Sequence, residues 1–353
     1  MILAAEVLIE RGLRRVRFGE DTVDADGPHA LPIEQAIRSV EKAIADADVG
    51  AFRSSPALFR HPLTIQTDRS IVNAVNRQNG LFCPPALGGH LQSRAVRDRQ
   101  ESDMGYALSG KTALVTGANR GIGEAIVDAL VAAGVNKVYA AARNVSTLDA
   151  LVHRHGSRVV PLRLDVTNAA QIAAAAASAT DVDLLVNNAG IVGFYGGDFT
   201  DPKWIEGGRR EMEVNFLGTF AVTQAFAPVL AKNGGGAVAN LNSVASFVSF
   251  PILAAYSASK AATHSLTQVT RVMLRGQNTQ VFGVYPGPID TKMGEALPME
   301  KASPADAARA IVAGIIAGHE EIFPDKMSQD TGPAFFADPK GLERQVAGVP
   351  AAA

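Results

Sequence analysis

From about residue 107 onward, short apolar runs rich in Val and Leu alternate with longer Ala-rich stretches whose apolar residues recur at helical spacing. The runs Thr112–Thr116, Lys137–Ala142, Arg158–Leu164, Val182–Asn187, Ala237–Leu241, Gln280–Tyr285 and Glu321–Phe323 predict strands. Helices are predicted between them over Gly121–Ala133, Asn168–Ser178, Gly207–Ala231, Tyr256–Arg275 and Pro304–Ala317. Strand and helix in alternation imply an α/β class, a doubly wound parallel sheet of about seven strands with helices on both faces. Right-handed crossovers then put a ligand crevice at the carboxyl ends of the strands, as in a Rossmann-like fold.

The pattern before residue 107 is different. Pro, Gly, Arg and Asp are scattered through it, and no alternation of buried strands follows. One amphipathic helix is predicted from Ile33 to Ala47, where Ile33, Ala36, Ile37, Val40, Ala43 and Ile44 share a face. The chain therefore divides into a poorly ordered N-terminal extension, 1–106, and a compact domain, 107–345. A flexible extension, an oligomer contact and upstream sequence read through from a misplaced start codon all fit the first part.

Composition narrows the classes. Hydrophobic residues make up 47% of the 353 and charged residues 19%, which suits a globular enzyme with a sizeable core. A formal net charge of −2 gives no reason to expect nucleic acid or an anionic membrane as partner. The single cysteine, Cys83, excludes an intrachain disulfide. The start, MILAAEVLIERG, lacks a basic leader and is interrupted by Glu6 and Glu10, and no run approaches the ~20 apolar residues of a membrane span. The expectation is a cytoplasmic protein. His153, Arg154 and His155 have no Cys or carboxylate cluster beside them in sequence, so they read as a polar helix end rather than a metal site.

The first strand runs into Thr116-Gly117-Ala118-Asn119-Arg120-Gly121-Ile122-Gly123 and then a helix. Glycines there permit a tight turn and let backbone N–H groups approach a pyrophosphate at the helix N-terminus. The spacing Gly-x-x-x-Gly-x-Gly alone is also that of a simple strand-to-helix turn. The second strand adds a sharper signal: it ends in Ala142 and is followed by Arg143, with no acid to hold a ribose 2′-hydroxyl. A guanidinium at Arg143, with Arg120 as a second cation, suits a 2′-phosphate and therefore NADP(H).

Tyr256 and Lys260 are four residues apart at the start of a helix and share a face. A free tyrosine titrates near 10, and an adjacent ammonium favours its phenolate, which brings it toward the range of a general acid–base. Alone, the pair is equally an ordinary exposed helix pair. Ser243, thirteen residues earlier at a strand end, supplies a hydroxyl that can polarise a carbonyl. Asn215 interrupts an apolar helix in MEVNFLG, a local rule broken where function is expected.

These residues, with LDV at Leu164–Val166, NNAG at Asn187–Gly190 and PGPIDT at Pro286–Thr291, occur in one order and spacing. From about Leu108 to Asp325 the chain resembles the short-chain dehydrogenase/reductase family. The first hundred residues have no counterpart there. The resemblance implies that Tyr256 is the general acid in ketone reduction, Ser243 the carbonyl polariser, Lys260 the ligand of the nicotinamide ribose and Asn215 the holder of a water linked to Lys260. It also implies a cofactor site of Gly117, Asn119, Arg120, Gly121, Ile122, Gly123, Arg143, Asp165, Val166, Asn188, Ala189, Gly190, Tyr256, Lys260, Pro286, Ile289 and Thr291. Asp165 would touch adenine, Asn188 the adenosine side, and Ile289 and Thr291 the carboxamide and phosphates.

The substrate expected is a mainly apolar carbonyl compound or alcohol. Ile191, Val192, Phe194, Ala245, Phe247 and the loop after Thr291 are expected to border it. The resemblance further implies a homodimer or homotetramer built through the helices that carry Asn215 and Tyr256. The alternative function is a non-catalytic NADP(H) sensor or scaffold, whose expected mark is loss of one of the four catalytic residues; all four are present.

Overall fold

The computed structural model describes residues 105–348. The helix expected over Ile33–Ala47 and nearly all of the N-terminal extension lie outside the described residues. Within them, seven parallel strands form one sheet in the order β3-β2-β1-β4-β5-β6-β7. These are β1 (Thr112–Thr116), β2 (Lys137–Ala142), β3 (Val159–Arg163), β4 (Leu184–Asn187), β5 (Gly236–Leu241), β6 (Thr279–Val284) and β7 (Glu321–Ile322). The strand order reverses between β1 and β4, so a crevice opens at their carboxyl ends.

The helices are α1 (Gly121–Ala132), α2 (Asp149–His155), α3 (Ala169–Ser178), α4 (Lys203–Glu211), α5 (Thr219–Lys232), α6 (Ala254–Leu274), α7 (Pro304–Ala317), α8 (Lys326–Ala337) and α9 (Pro339–Val346). On one face of the sheet Ala113, Val115, Val138 and Val186 meet Ile126, Val127 and Leu130 of α1 and Ile311 and Ile315 of α7. On the other face Leu114, Leu185 and Val238 meet Ile172 of α3 and Val222, Phe226 and Leu230 of α5. Alternate residues of β1 thus enter opposite cores. This is why its five residues read as a continuous apolar run rather than an alternating one.

Two expectations need correction. The helix expected over Gly207–Ala231 is not one regular helix: α4 ends at Glu211, a wider π-helical turn spans Met212–Gly218, and α5 follows. Within Lys203–Lys232 one 18-residue window is apolar enough to cross a membrane, with a mean hydropathy of 1.4. Here the stretch is a core helix, since Trp204, Asn215, Val222, Phe226 and Leu230 are buried. The second correction is the carboxyl-terminal part, where α8 and α9 were not anticipated. Gly332 and Pro333 inside α8 weaken its helical pattern, although Asp325 and Ser328 form a reciprocal capping box at its start.

Candidate active site

The turn after β1 is built for close backbone approach. Gly117 and Gly121 have φ of +64° and +59°, a conformation glycine adopts without penalty. A side chain at Gly123 would collide with the Gly117 carbonyl and the Asn188 amide. Arg120 precedes α1 without giving its first turn a side-chain cap, so those backbone donors face the crevice. Asn188 fixes the turn, donating from Nδ2 to the carbonyls of Thr116 and Gly117 at 2.9 and 3.1 Å. Its amide is therefore committed to the turn.

The resulting cleft has a volume of about 890 Å³. Gly117, Asn119, Arg120, Gly121, Ile122, Gly123, Arg143, Asp165, Val166, Asn188, Ala189, Gly190, Tyr256, Lys260, Pro286 and Thr291 all line it, whereas Ile289 lines the neighbouring pocket. Arg120 and Arg143 are exposed at its rim. The Thr167 amide holds the Asp165 carboxyl below the usual carboxylate range, and the Arg143 guanidinium contributes to the same shift. A cradle that a Cβ would fill, free amides and two arginines fit a phosphorylated dinucleotide.

The second, smaller pocket, about 130 Å³, adjoins the first. Ser243, Val192, Ala245 and the loop after Thr291 line it as expected, and Tyr256 lines both. Ile191 instead borders the larger cleft. Phe194 and Phe247 border neither, because each is taken up by aromatic packing. Phe194 packs edge-on against Trp204 at 4.8 Å, and Phe247 stacks on Tyr285 at 4.5 Å and on Phe335 at 4.8 Å. Sequence reasoning missed Tyr195, Phe250, Leu253 and Met327 in this pocket. Met327 enters from α8, which the apolar period did not reveal.

The catalytic candidates meet where the two pockets join. The Ser243 hydroxyl stands beside the Tyr256 phenol and accepts from the Ala245 amide at 3.1 Å. Burial pushes the Tyr256 phenol up, against the lowering effect of Ser243, and nearby Tyr195 and Glu211 add to the rise. Lys260 is buried and donates from Nζ to the Leu241 carbonyl at 2.6 Å, 5.8 Å from the Tyr256 ring centroid. Removal from water lowers its ammonium to about 8.

Asn215 lies behind this group in the π-helical turn. Its Oδ1 accepts from the Ile191 amide at 2.8 Å, and its Nδ2 donates to the Ile191 carbonyl and to Ser259 Oγ. The wider turn leaves its own carbonyl to accept from Thr219 and Thr263 hydroxyls at 2.8 and 3.1 Å. A methyl group placed on Gly190 would lie 3.3 Å from Asn215 Oδ1 and 3.6 Å from Lys260 Nζ. The two polar groups therefore border one gap. No group of three metal-ligating side chains occurs among the described residues. His155 instead meets Asp128 at 2.5 Å.

A family model described as short chain dehydrogenase matches residues 111–302. The short chain dehydrogenase tazN of Aspergillus terreus is 35% identical over 209 residues, which cover 54% of this chain. The chain spans only 44% of that relative's length. A short chain dehydrogenase from Burkholderia cenocepacia J2315, solved in complex with NADP, is similar with a TM-score of 0.63 and 38% identity, covering 68% of this chain and 98% of that one. A 3-ketoacyl-(acyl-carrier-protein) reductase from Brucella melitensis, complexed with NADH, has a TM-score of 0.55 and 25% identity, covering 61% of this chain and 97% of that one.

Proposed function

Because this chain belongs to the short-chain dehydrogenase/reductase family, we propose that it interconverts a mainly apolar carbonyl compound and its alcohol with NADP(H). The observation that carries the reading is the meeting of Ser243 and Tyr256 at the junction of the two pockets, with the buried Lys260 ammonium behind them. The nicotinamide, when bound, supplies or accepts the hydride. Gly117, Gly121, Gly123 and the first turn of α1 would hold the pyrophosphate, and Lys260 the ribose. In reduction, the Tyr256 hydroxyl gives its proton to the substrate oxygen as that oxygen gains charge. The Ser243 hydroxyl donates to the same oxygen, which requires it to turn from the Pro286 carbonyl, 3.4 Å away. The Tyr256 phenolate must then regain a proton, and the gap beside Gly190 between Asn215 and Lys260 suits a water that brings it in from solvent by way of Lys260.

The choice of NADP(H) rests on Arg120 and Arg143, since related structures hold NADP in one case and NADH in another. With no acid at the end of β2, Arg120 and Arg143 are the groups that would meet a 2′-phosphate. Assaying nicotinamide oxidation against a panel of ketones, with NADPH and NADH in parallel, tests the whole reading. Silence across the panel would reject the proposed reaction. Arg143→Asp should lower the NADPH-to-NADH preference by about tenfold or more, the scale of one lost charge-assisted contact. An unchanged ratio would remove Arg143 from the 2′-phosphate site.

Assembly follows from the outer faces of two long elements. Leu217 and Phe220 beside α5, and Val269, Val272 and Met273 on α6, are exposed apolar side chains. Apolar surface on neighbouring helices suits a second copy of the chain, as a homodimer or homotetramer. Sedimentation should give a dimer or tetramer, and a monomer at micromolar concentration would reject this assembly.

A further inference from the structure

Glu211, the last residue of α4, is fully buried and, apart from the effect of its charge on Tyr256, has no part in the chemistry above. Its Oε1 accepts from the Gly193 amide at 2.7 Å, and the Phe194 amide also bonds to the carboxylate. Its Oε2 has no partner among the described residues. Burying a carboxylate with one oxygen unpaired is costly, and the two amides it holds belong to one short segment. Gly193 lies so close to α4 that a Cβ there would stand 2.6 Å from the Gly207 carbonyl oxygen. Phe194 packs edge-on to Trp204, whose Nε1 donates to the Asp198 carbonyl at 2.8 Å. The next residue, Tyr195, donates its hydroxyl to the Met293 carbonyl at 2.5 Å, across to the loop after Thr291. Tyr195 and Met293 each line both pockets.

We infer that Glu211 is a positioning residue for substrate selection: it holds the Gly193–Tyr195 segment so that Tyr195, pinned to Met293, sets the width of the apolar pocket. This rests on the carbonyl-reducing reading above. The carboxylate acts on the pocket through the chain: two amides fix the backbone, the backbone fixes the Tyr195 ring, and its hydroxyl fixes the facing loop. Met293, Met299 and Met327 also line the pocket with flexible side chains, and against them Tyr195 is a rigid part of the wall.

The test compares Glu211→Ala, Glu211→Gln and Tyr195→Phe in the full chain. Glutamine keeps an acceptor oxygen for the Gly193 amide, and alanine does not. Trp204 is the only tryptophan, so its emission reports on the segment without any turnover. Glu211→Ala should shift that emission to the red and increase iodide quenching, while Glu211→Gln should match the parent. With a series of ketones of increasing bulk, Glu211→Ala and Tyr195→Phe should each raise the bulky-to-compact kcat/KM ratio by about tenfold. NADPH affinity should stay within about twofold, because neither substitution touches the glycine turn or the two arginines and phenylalanine keeps the Tyr195 ring at the cleft wall.

Alanine and glutamine variants alike in emission and selectivity would overturn the inference, as would an unchanged ratio in Tyr195→Phe. A parent inactive on every ketone would reject the proposed reaction instead, and the Trp204 emission would still decide whether Glu211 holds the wall. If Glu211→Ala does not fold, Tyr195→Phe decides the selectivity claim.

Discussion

Replacing Tyr256 with phenylalanine should lower kcat by about 10²- to 10⁴-fold, the scale of losing a general acid–base, with nicotinamide affinity nearly unchanged. The substitution removes one hydroxyl and keeps the ring that lines both pockets. That hydroxyl sits where its proton is useful. Burial, with Tyr195 and Glu211 nearby, disfavours the phenolate, so the phenol enters a reduction cycle carrying its proton. Ser243 works against that rise without overcoming it. A phenol that keeps its proton until the substrate oxygen gains charge is what a proton donor in reduction requires. Steady-state kinetics beside cofactor titration checks this. Near-normal turnover would sink the mechanism, and a large loss of cofactor affinity would mean that the hydroxyl serves binding.

Much of this architecture was legible in the sequence because burial repeats along the chain. All seven strands came out within two residues of their observed ends, since most are buried apolar runs between glycine- or asparagine-bearing turns. The cofactor cleft was legible for another reason. Its recognition uses backbone, so glycines at fixed places mark it, and all the residues expected there line it except Ile289. The substrate pocket was harder to read, because its lining is assembled from distant segments with no common period. Phe194 and Phe247 looked like pocket residues by proximity in sequence, but aromatic partners on other elements hold them elsewhere. Asn215 was noticed as an irregularity. The π-helical turn that explains it depends on the Thr263 hydroxyl, from a helix far along the chain. Glu211 gave no signal at all. An acid at the end of a polar helix looks solvated until the Gly193–Tyr195 segment folds over it.

Lys260→Met should lower turnover by at least about 10²-fold and yet leave the fold as stable as the parent, or slightly more so. Buried substitutions usually cost about 0.5–3 kcal/mol, so the expectation runs against the ordinary outcome. The reason is the cost of the buried charge. Lowering the ammonium from the usual 10.5 to about 8 corresponds to roughly 3 kcal/mol of penalty at neutral pH. Methionine keeps the unbranched apolar stem and removes that penalty. Against this stands the lost bond to the Leu241 carbonyl, about 1.5–3 kcal/mol for a charged donor, so the two effects nearly cancel. The pH dependence separates them. Between about pH 8 and 10.5 the unfolded parent binds more protons than the folded one, so its stability gains from Lys260 as pH rises. The variant lacks that gain. Urea unfolding at pH 7 and pH 9.5 should therefore show the parent improving relative to Lys260→Met. A variant that is several kcal/mol less stable at pH 7, with a difference that does not change with pH, would show that Lys260 is held as a structural hydrogen-bond donor. Its charge would then not be carried at a cost for the sake of Tyr256.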